Sequence, residues 1–463
     1  MSSTRRSASS VLSGEVVARG TQVLAFFALA GLLTPRDFGL AAVAAVALAA
    51  VSVLTSVGLG AGTTALGRDL QRDRAALAAA LLLGLGAALV LQLLAAPAAV
   101  LLGAPAAEPL VRLAGAVALL QPYADLRAAL LEREGRFAWT GATQAVAAVV
   151  AAAVAVGLAR QGAGAVSLVA QLLAYQAVRA VLLALPGRAP RRPALLLSPL
   201  RDLWRYVREV FLAQALVTAF LSVDNAAVGR LAGTTSLGAY SFAFQLANLP
   251  VLVLAHAAGR LLLPAYSREV RAGRPLAPLY DRTLTVTAWA GALVLLGLLV
   301  NGPALLGLLY GPERWQSAYL PLQVLCLFGF LRTSGVASGT VFNALQEPRV
   351  NRQVVQWQLA ALLALIVPAV LVAGPLGAAA AVTATTLGGV AVSLVRCDRR
   401  LGRPVTAGLR TLGVAALAAG ACVLAGRVLA ALLAGGGWTE LLVSAGLATV
   451  AWALLAARRG LLR

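Results

Sequence analysis

Apolar runs long enough to cross a bilayer recur along the whole chain, with only short polar breaks between them. About 20 mostly apolar residues span the hydrocarbon core as a helix. Fourteen such runs can be read, roughly at 11–33, 38–62, 75–102, 109–130, 138–158, 163–186, 204–231, 236–263, 283–309, 318–344, 353–373, 376–395, 406–430 and 438–457. The chain is 60% hydrophobic and 12% charged, more apolar than a soluble core of 463 residues can accommodate. A transmembrane barrel would need short strands of alternating polarity, and none is visible. The expected fold class is an all-α polytopic membrane protein with about 14 transmembrane helices. The first run holds Glu15 and Arg19, which marks it as a retained helix, not a cleavable signal.

The formal net charge is +21 and lysine is absent, so arginine carries every positive side chain. Cytoplasmic loops accumulate basic residues. With the N-terminus inside, alternate loops hold Arg68, Arg72 and Arg74; Arg133 and Arg136; Arg188, Arg191 and Arg192; Arg268, Arg271 and Arg274; Arg349 and Arg352; and Arg399, Arg400 and Arg403. The opposite loops offer little beyond Arg36, Arg160, Arg230 and Arg314. This asymmetry predicts a multi-pass protein of the bacterial cytoplasmic membrane with both termini in the cytoplasm.

A basic linker at 187–203, with Pro190, Pro193 and Pro199, divides the chain. It separates an N-terminal six-helix bundle at 1–186 from a second at 204–400, with accessory helices at 401–463. Six spans per half is an even number, so both halves enter the membrane in the same direction. That predicts parallel repeats about a pseudo-twofold along the membrane normal. An internal echo agrees: Leu33-Thr34-Pro35-Arg36-Asp37-Phe38-Gly39-Leu40 joins the first two spans, and Ala232-Gly233-Thr234-Thr235-Ser236-Leu237-Gly238-Ala239 joins the seventh and eighth.

Several function classes fall away. Without lysine there is no Walker A phosphate loop. No basic domain or aromatic platform lies outside the apolar runs, so nucleic acid is not an expected partner. Cys326, Cys397 and Cys422 show neither metal nor disulfide spacing, and His256 reads as a packed helix residue. The outer loops are too short for a catalytic domain. No enzyme activity, cofactor or metal is expected.

The polar residues inside the runs carry the functional signal. A charged side chain at mid-bilayer costs about 2.5–3.5 kcal/mol on insertion scales, so it faces protein or water. Glu15, Arg19 and Gln22 share a helix face, as do Gln171, Tyr175 and Arg179. For Arg19, both a cavity position and an interfacial one shared with Glu15 are open. The seventh span holds Gln214, Asp224 and Asn225; the eighth Gln245, Asn248, His256 and Arg260; the tenth Gln323, Arg332 and Asn343. Tyr123, Asp125 and Arg127 sit towards the inner end of the fourth. Interhelical hydrogen bonding accounts for many of the glutamines, but poorly for so many arginines. A wet, cationic cleft would take an anionic substrate, and arginine suits phosphate in particular. The candidate cavity residues are Arg19, Arg179, Asp224, Asn225, Gln245, Asn248, Arg260 and Arg332.

Four stretches together resemble polysaccharide flippases of the Wzx type, in the superfamily that includes multidrug extrusion transporters and the lipid II flippase. They are Leu32-Leu33-Thr34-Pro35-Arg36-Asp37-Phe38-Gly39-Leu40 with Ser56-Val57-Gly58-Leu59-Gly60; Asp224 through Gly229-Arg230-Leu231-Ala232-Gly233, Leu237-Gly238-Ala239-Tyr240 and Pro250; Leu263-Pro264-Ala265-Tyr266-Ser267-Arg268; and Gly311-Pro312-Glu313-Arg314-Trp315 with Asn343-Ala344-Leu345-Gln346-Glu347-Pro348-Arg349. Ser56 stands where that family usually has an acid. The resemblance implies alternating access by two six-helix bundles and export of undecaprenyl-pyrophosphate-linked oligosaccharide units. Lipid-linked oligosaccharide and membrane lipid are then the expected partners, with a polysaccharide polymerase and chain-length proteins as further candidates. With no nucleotide site, an ion gradient would drive transport. Asp224 is a candidate for coupling or for a structural cap. The alternatives are a lipid II flippase and a non-transporting scaffold of a polysaccharide assembly complex.

Overall fold

The computed structural model describes residues 2–55, 58–186, 193–194, 196, 201, 211–212, 214–433 and 437–458, and of these 2–13, 54, 252–261 and 456–458 as backbone only. Most of the 187–203 linker, and the side chains of His256 and Arg260, lie outside this set. The described residues are almost wholly helical. They form two compact units, Met1–Gly238 and Ala239–Arg463.

The first unit contains α1 (Ser2–Leu32), α2 (Pro35–Thr55), α3 (Leu59–Ala65), α4 (Leu70–Leu101), α5 (Glu108–Arg133), α6 (Phe137–Arg160), α7 (Val166–Ala184) and α8 (Val223–Ala232). The α1 helix packs on α6, α4 on α5, and α7 on both α5 and α6. The helix faces invert the soluble pattern. On α6 the buried stripe is alanine (Ala147, Ala151, Ala155, Ala159), while Val146, Val149, Val150 and Val154 point outwards. Lipid tails are as apolar as valine, so helices gain most by burying small residues that let their backbones approach.

The Leu33–Leu40 stretch acquires a physical explanation. Thr34 Oγ1 accepts from Asp37 N at 3.3 Å, while Asp37 Oδ2 accepts from Thr34 N at 2.9 Å and from Thr34 Oγ1 at 2.6 Å. This reciprocal cap starts α2. Asp37 Oδ1 accepts from Ala165 N at 3.1 Å, tying the cap to the start of α7. The echo stretch meets the same turn within the first unit. A Cβ added at Gly39 would lie 1.8 Å from the Thr234 carbonyl oxygen, and one at Gly238 would lie 1.6 Å from that of Pro35. Only glycine permits two backbones to cross so closely.

The second unit holds most of α9 (Thr234–Arg271), then α10 (Ala277–Tyr310), α11 (Tyr319–Ala344), α12 (Pro348–Arg400), α13 (Ala407–Leu433) and α14 (Gly437–Arg458). The α11 helix packs between α10 and α12, and α13 and α14 pair with each other and lie on α10. The α12 helix is broken: Ala373 has φ −133° and Gly374 has φ +55°, just before Pro375. It therefore covers two of the sequence runs. Trp315 is fully buried and stacks on Phe242 at 3.9 Å. Cys326, Cys397 and Cys422 are all free and buried.

Among the described residues, 11 helices are long and apolar enough to cross a membrane. That count is lower than the fourteen runs read from the sequence. It takes the broken α12 as one helix and leaves out α5 and α9. The α5 helix is loaded with Glu108, Arg112, Asp125, Arg127, Glu132 and Arg133.

Candidate functional site

Buried arginines in the first unit fall into two kinds. Arg127 is 2% exposed and gives Nε and Nη2 to the Leu183 carbonyl at 3.1 and 2.9 Å, and Nη2 to that of Pro186 at 3.0 Å. It satisfies carbonyls left open at the C-terminal end of α7, where a positive charge is favourable. Arg133 grips Asp73 with both Nη1 and Nη2 and adds the carbonyls of Thr63 at 2.9 Å and Gly67 at 3.3 Å. It staples α3, α4 and α5 together. Both are structural residues.

Arg179 on α7 is different. It is 9% exposed, and its Nη1 donates to Gln176 Oε1 at 2.8 Å while Nη2 donates to Asp125 Oδ1 at 3.0 Å. The guanidinium carbon lies 5.5 Å from the centre of the Tyr175 ring. Asp125 was absent from the sequence-derived candidates, because its partner sits 54 positions away on another helix. The only signal for it in the sequence was a carboxylate inside an apolar run. Arg19, half-buried on α1, donates from Nη1 to Gln22 Oε1 at 3.2 Å.

Asp224 is 1% exposed, and its Oδ1 accepts from the backbone N of Asn225 at 2.7 Å and from Asn225 Nδ2 at 3.2 Å. The span that carries it is discontinuous. Helix over 214–220 gives way to a turn at Leu221 and Ser222, and α8 then starts at Val223 with Asp224 in its first turn. A carboxylate there faces the positive end of the helix dipole.

In the second unit α9 and α11 approach closely, and a Cβ on Gly329 would come within 2.9 Å of the Ala247 carbonyl oxygen. That approach brings Arg332 Nη1 within 3.3 Å of Asn248 Oδ1. The guanidinium carbon also lies 5.8 Å from the centre of the Phe328 ring. Among the described residues no carboxylate pairs with Arg332. The partners of Arg332 among the described residues are thus one amide oxygen and one aromatic face. Gln245 on α9 is exposed, and Asn225 is half-buried. Of the candidates, the structure joins Asn248 to Arg332 and Asp224 to Asn225.

At the ends of the second unit several arginines are paired. Arg403 bridges Asp281 and Asp398 and lies 4.9 Å over the Tyr280 ring. Arg400 bonds Glu347 at 2.7 Å. Beyond the span of α9, exposed Arg274 donates to Glu269 and so holds its carboxyl below the usual carboxylate range.

Residues 28–320 match the model of a family described as "Polysaccharide biosynthesis protein". The chain belongs to this family. It is 24% identical over 372 residues to the lipopolysaccharide biosynthesis protein WzxC of Escherichia coli (strain K12), a match covering 80% of this chain and 74% of that one. Its fold is similar to that of the lipid II flippase MurJ in an inward closed conformation, with TM-score 0.77, 11% identity, and coverage of 98% of this chain and 99% of that one. An inward-facing multidrug resistance transporter of the MATE family and MOP superfamily gives TM-score 0.61 at 15% identity, over 85% and 98% of the two chains. The fold is thus shared with these two transporters, and the family membership rests on sequence.

Proposed function

We propose that this member of the polysaccharide biosynthesis family is a flippase that moves undecaprenyl-pyrophosphate-linked oligosaccharide units across the cytoplasmic membrane by alternating access. The observation that carries the reading is Arg332: a membrane-embedded guanidinium without a carboxylate partner among the described residues, on a fold shared with lipid flippases and drug transporters. A diphosphate suits such a fork, because its oxygens accept two parallel N–H bonds. The amide side chains of Asn225, Gln245 and Asn248 suit sugar hydroxyls. Arg19 and Arg179 are proposed as further cationic contacts within the first unit, Arg260 lies outside the described side chains, and both termini are proposed to be cytoplasmic.

Transport coupled to an ion gradient fits the broken span before α8. Discontinuous helices place ion-binding carboxylates and free backbone groups at transporter centres, and buried Asp224 stands just past the break. The substrate test is genetic. The gene is expected to restore surface polysaccharide to a mutant lacking its own Wzx-type flippase, and Asp224→Asn to abolish that rescue. Rescue of a peptidoglycan-flippase depletion instead would assign lipid II as the substrate. Failure in both strains, with the protein present in the membrane, would favour a scaffold.

A further inference from the structure

Asp125 and Arg179 form a pair unlike the structural clamps around it. Asp73, held by Arg133, keeps 5% of its side-chain surface open, whereas Asp125 keeps 53%. Arg179 behind it keeps 10%. The contact is also single. Nε and Nη2 form one edge of a guanidinium, the edge that matches two oxygens of a carboxylate or phosphate. Asp125 takes only Nη2, and the buried Nε on the same edge has no acceptor. Arg133 also leaves Nε without an acceptor, but both of its Nη groups are bound to Asp73. Gln176 and Tyr175 fix the Arg179 plane from behind, so the guanidinium keeps its position when Asp125 turns away. Asp125 lies eight residues before the end of α5 at Arg133, about 12 Å along the axis at 1.5 Å per residue, so the pair is set back from the helix end.

We infer that Asp125 is an internal counter-anion for Arg179, standing in for a diphosphate and displaced by it. This inference rests on the flippase reading above. Between cycles the carboxylate keeps the arginine from being an uncompensated charge in a low-dielectric site. When a diphosphate arrives, two of its oxygens take the whole Nε–Nη2 edge, and the half-open Asp125 swings aside. On release the carboxylate returns, which lowers the free energy of the emptied site and prevents the diphosphate from being held too tightly to leave.

The test uses purified full-length protein in nanodiscs, titrated with inorganic pyrophosphate and with a fifteen-carbon polyprenyl diphosphate. Asp125→Asn removes the competitor but keeps the shape. Partly exposed ion pairs contribute up to about 1 kcal/mol, so the variant is expected to bind both probes about fivefold more tightly. Arg179→Gln is expected to weaken binding, and adding Asp125→Asn to Arg179→Gln should change nothing further. Unchanged or weaker binding by Asp125→Asn overturns the inference. The same gain in the Arg179→Gln background overturns it as well. Aggregation of both Asp125→Asn and Asp125→Ser on size-exclusion chromatography would assign the pair to structure and also overturn it. If the unaltered chain binds neither probe, the flippase reading fails too; intact binding with no gain sinks the counter-anion alone.

Discussion

At Arg332 a positive charge sits on α11 with one amide oxygen, one ring and no carboxylate among its described neighbours. At Arg127 a more deeply buried charge is satisfied by backbone carbonyls. The two should therefore respond differently to the same change. Arg332→Gln is expected to lower the transport rate about 10- to 100-fold while leaving thermal stability close to that of the unaltered chain, because a charged hydrogen bond contributes about 1.5–3 kcal/mol. Arg332→Lys should fall between, since lysine keeps the charge but lacks the fork. Arg127→Gln should do the reverse, losing about 1–3 kcal/mol of stability with transport per folded molecule retained. Rate and melting temperature measured on the same preparations check both. The sequence singled out Arg332 by its depth in an apolar run and ranked Arg179 above Arg127 by position, but it could not show what either one bonds. Their distinction lies in partners 54 to 59 positions away, and no local pattern encodes those.

Among the elements, α2 and the start of α9 form a close backbone crossing at Gly39 and Gly238. An added methyl would sit inside a carbonyl oxygen on either side, and a backbone cannot yield as a flexible side chain can. Gly39→Ala or Gly238→Ala is expected to cost about 1–3 kcal/mol through forced backbone displacement. Gly86→Ala on α4 meets no atom within 4 Å and should cost nothing or stabilise slightly. Thermal unfolding of the three variants in one detergent gives the comparison; equal melting temperatures would contradict the crossing. The echo around these glycines was visible in the sequence as a repeat. That the two copies touch was not, because a repeat states kinship and says nothing of distance. Helix boundaries set by turn chemistry were legible: the Thr34–Asp37 cap and the Gly374-Pro375 break both have local causes. Charged α5 illustrates the limit of hydropathy, since its Arg133 and Asp125 pair with Asp73 and Arg179 on other helices.

For the whole molecule, hydropathy alone establishes an all-α membrane protein, and the family match and shared transporter fold agree with it. What the lipid-linked cargo is depends on chemistry in a few side chains, and it is there that the proposal is most exposed to test. The decisive measurement is flipping by the purified protein in sealed vesicles. An undecaprenyl-pyrophosphate oligosaccharide bearing a fluorophore on its sugar is loaded on both leaflets, and a membrane-impermeant quencher is added outside while an ion gradient is imposed. The account predicts a rise in the quenched fraction above the outer-leaflet share, dependent on the protein and on the gradient, and strongly reduced by Arg332→Gln. A quenched fraction that stays at the outer-leaflet share in vesicles holding folded protein, with or without the gradient, would contradict it.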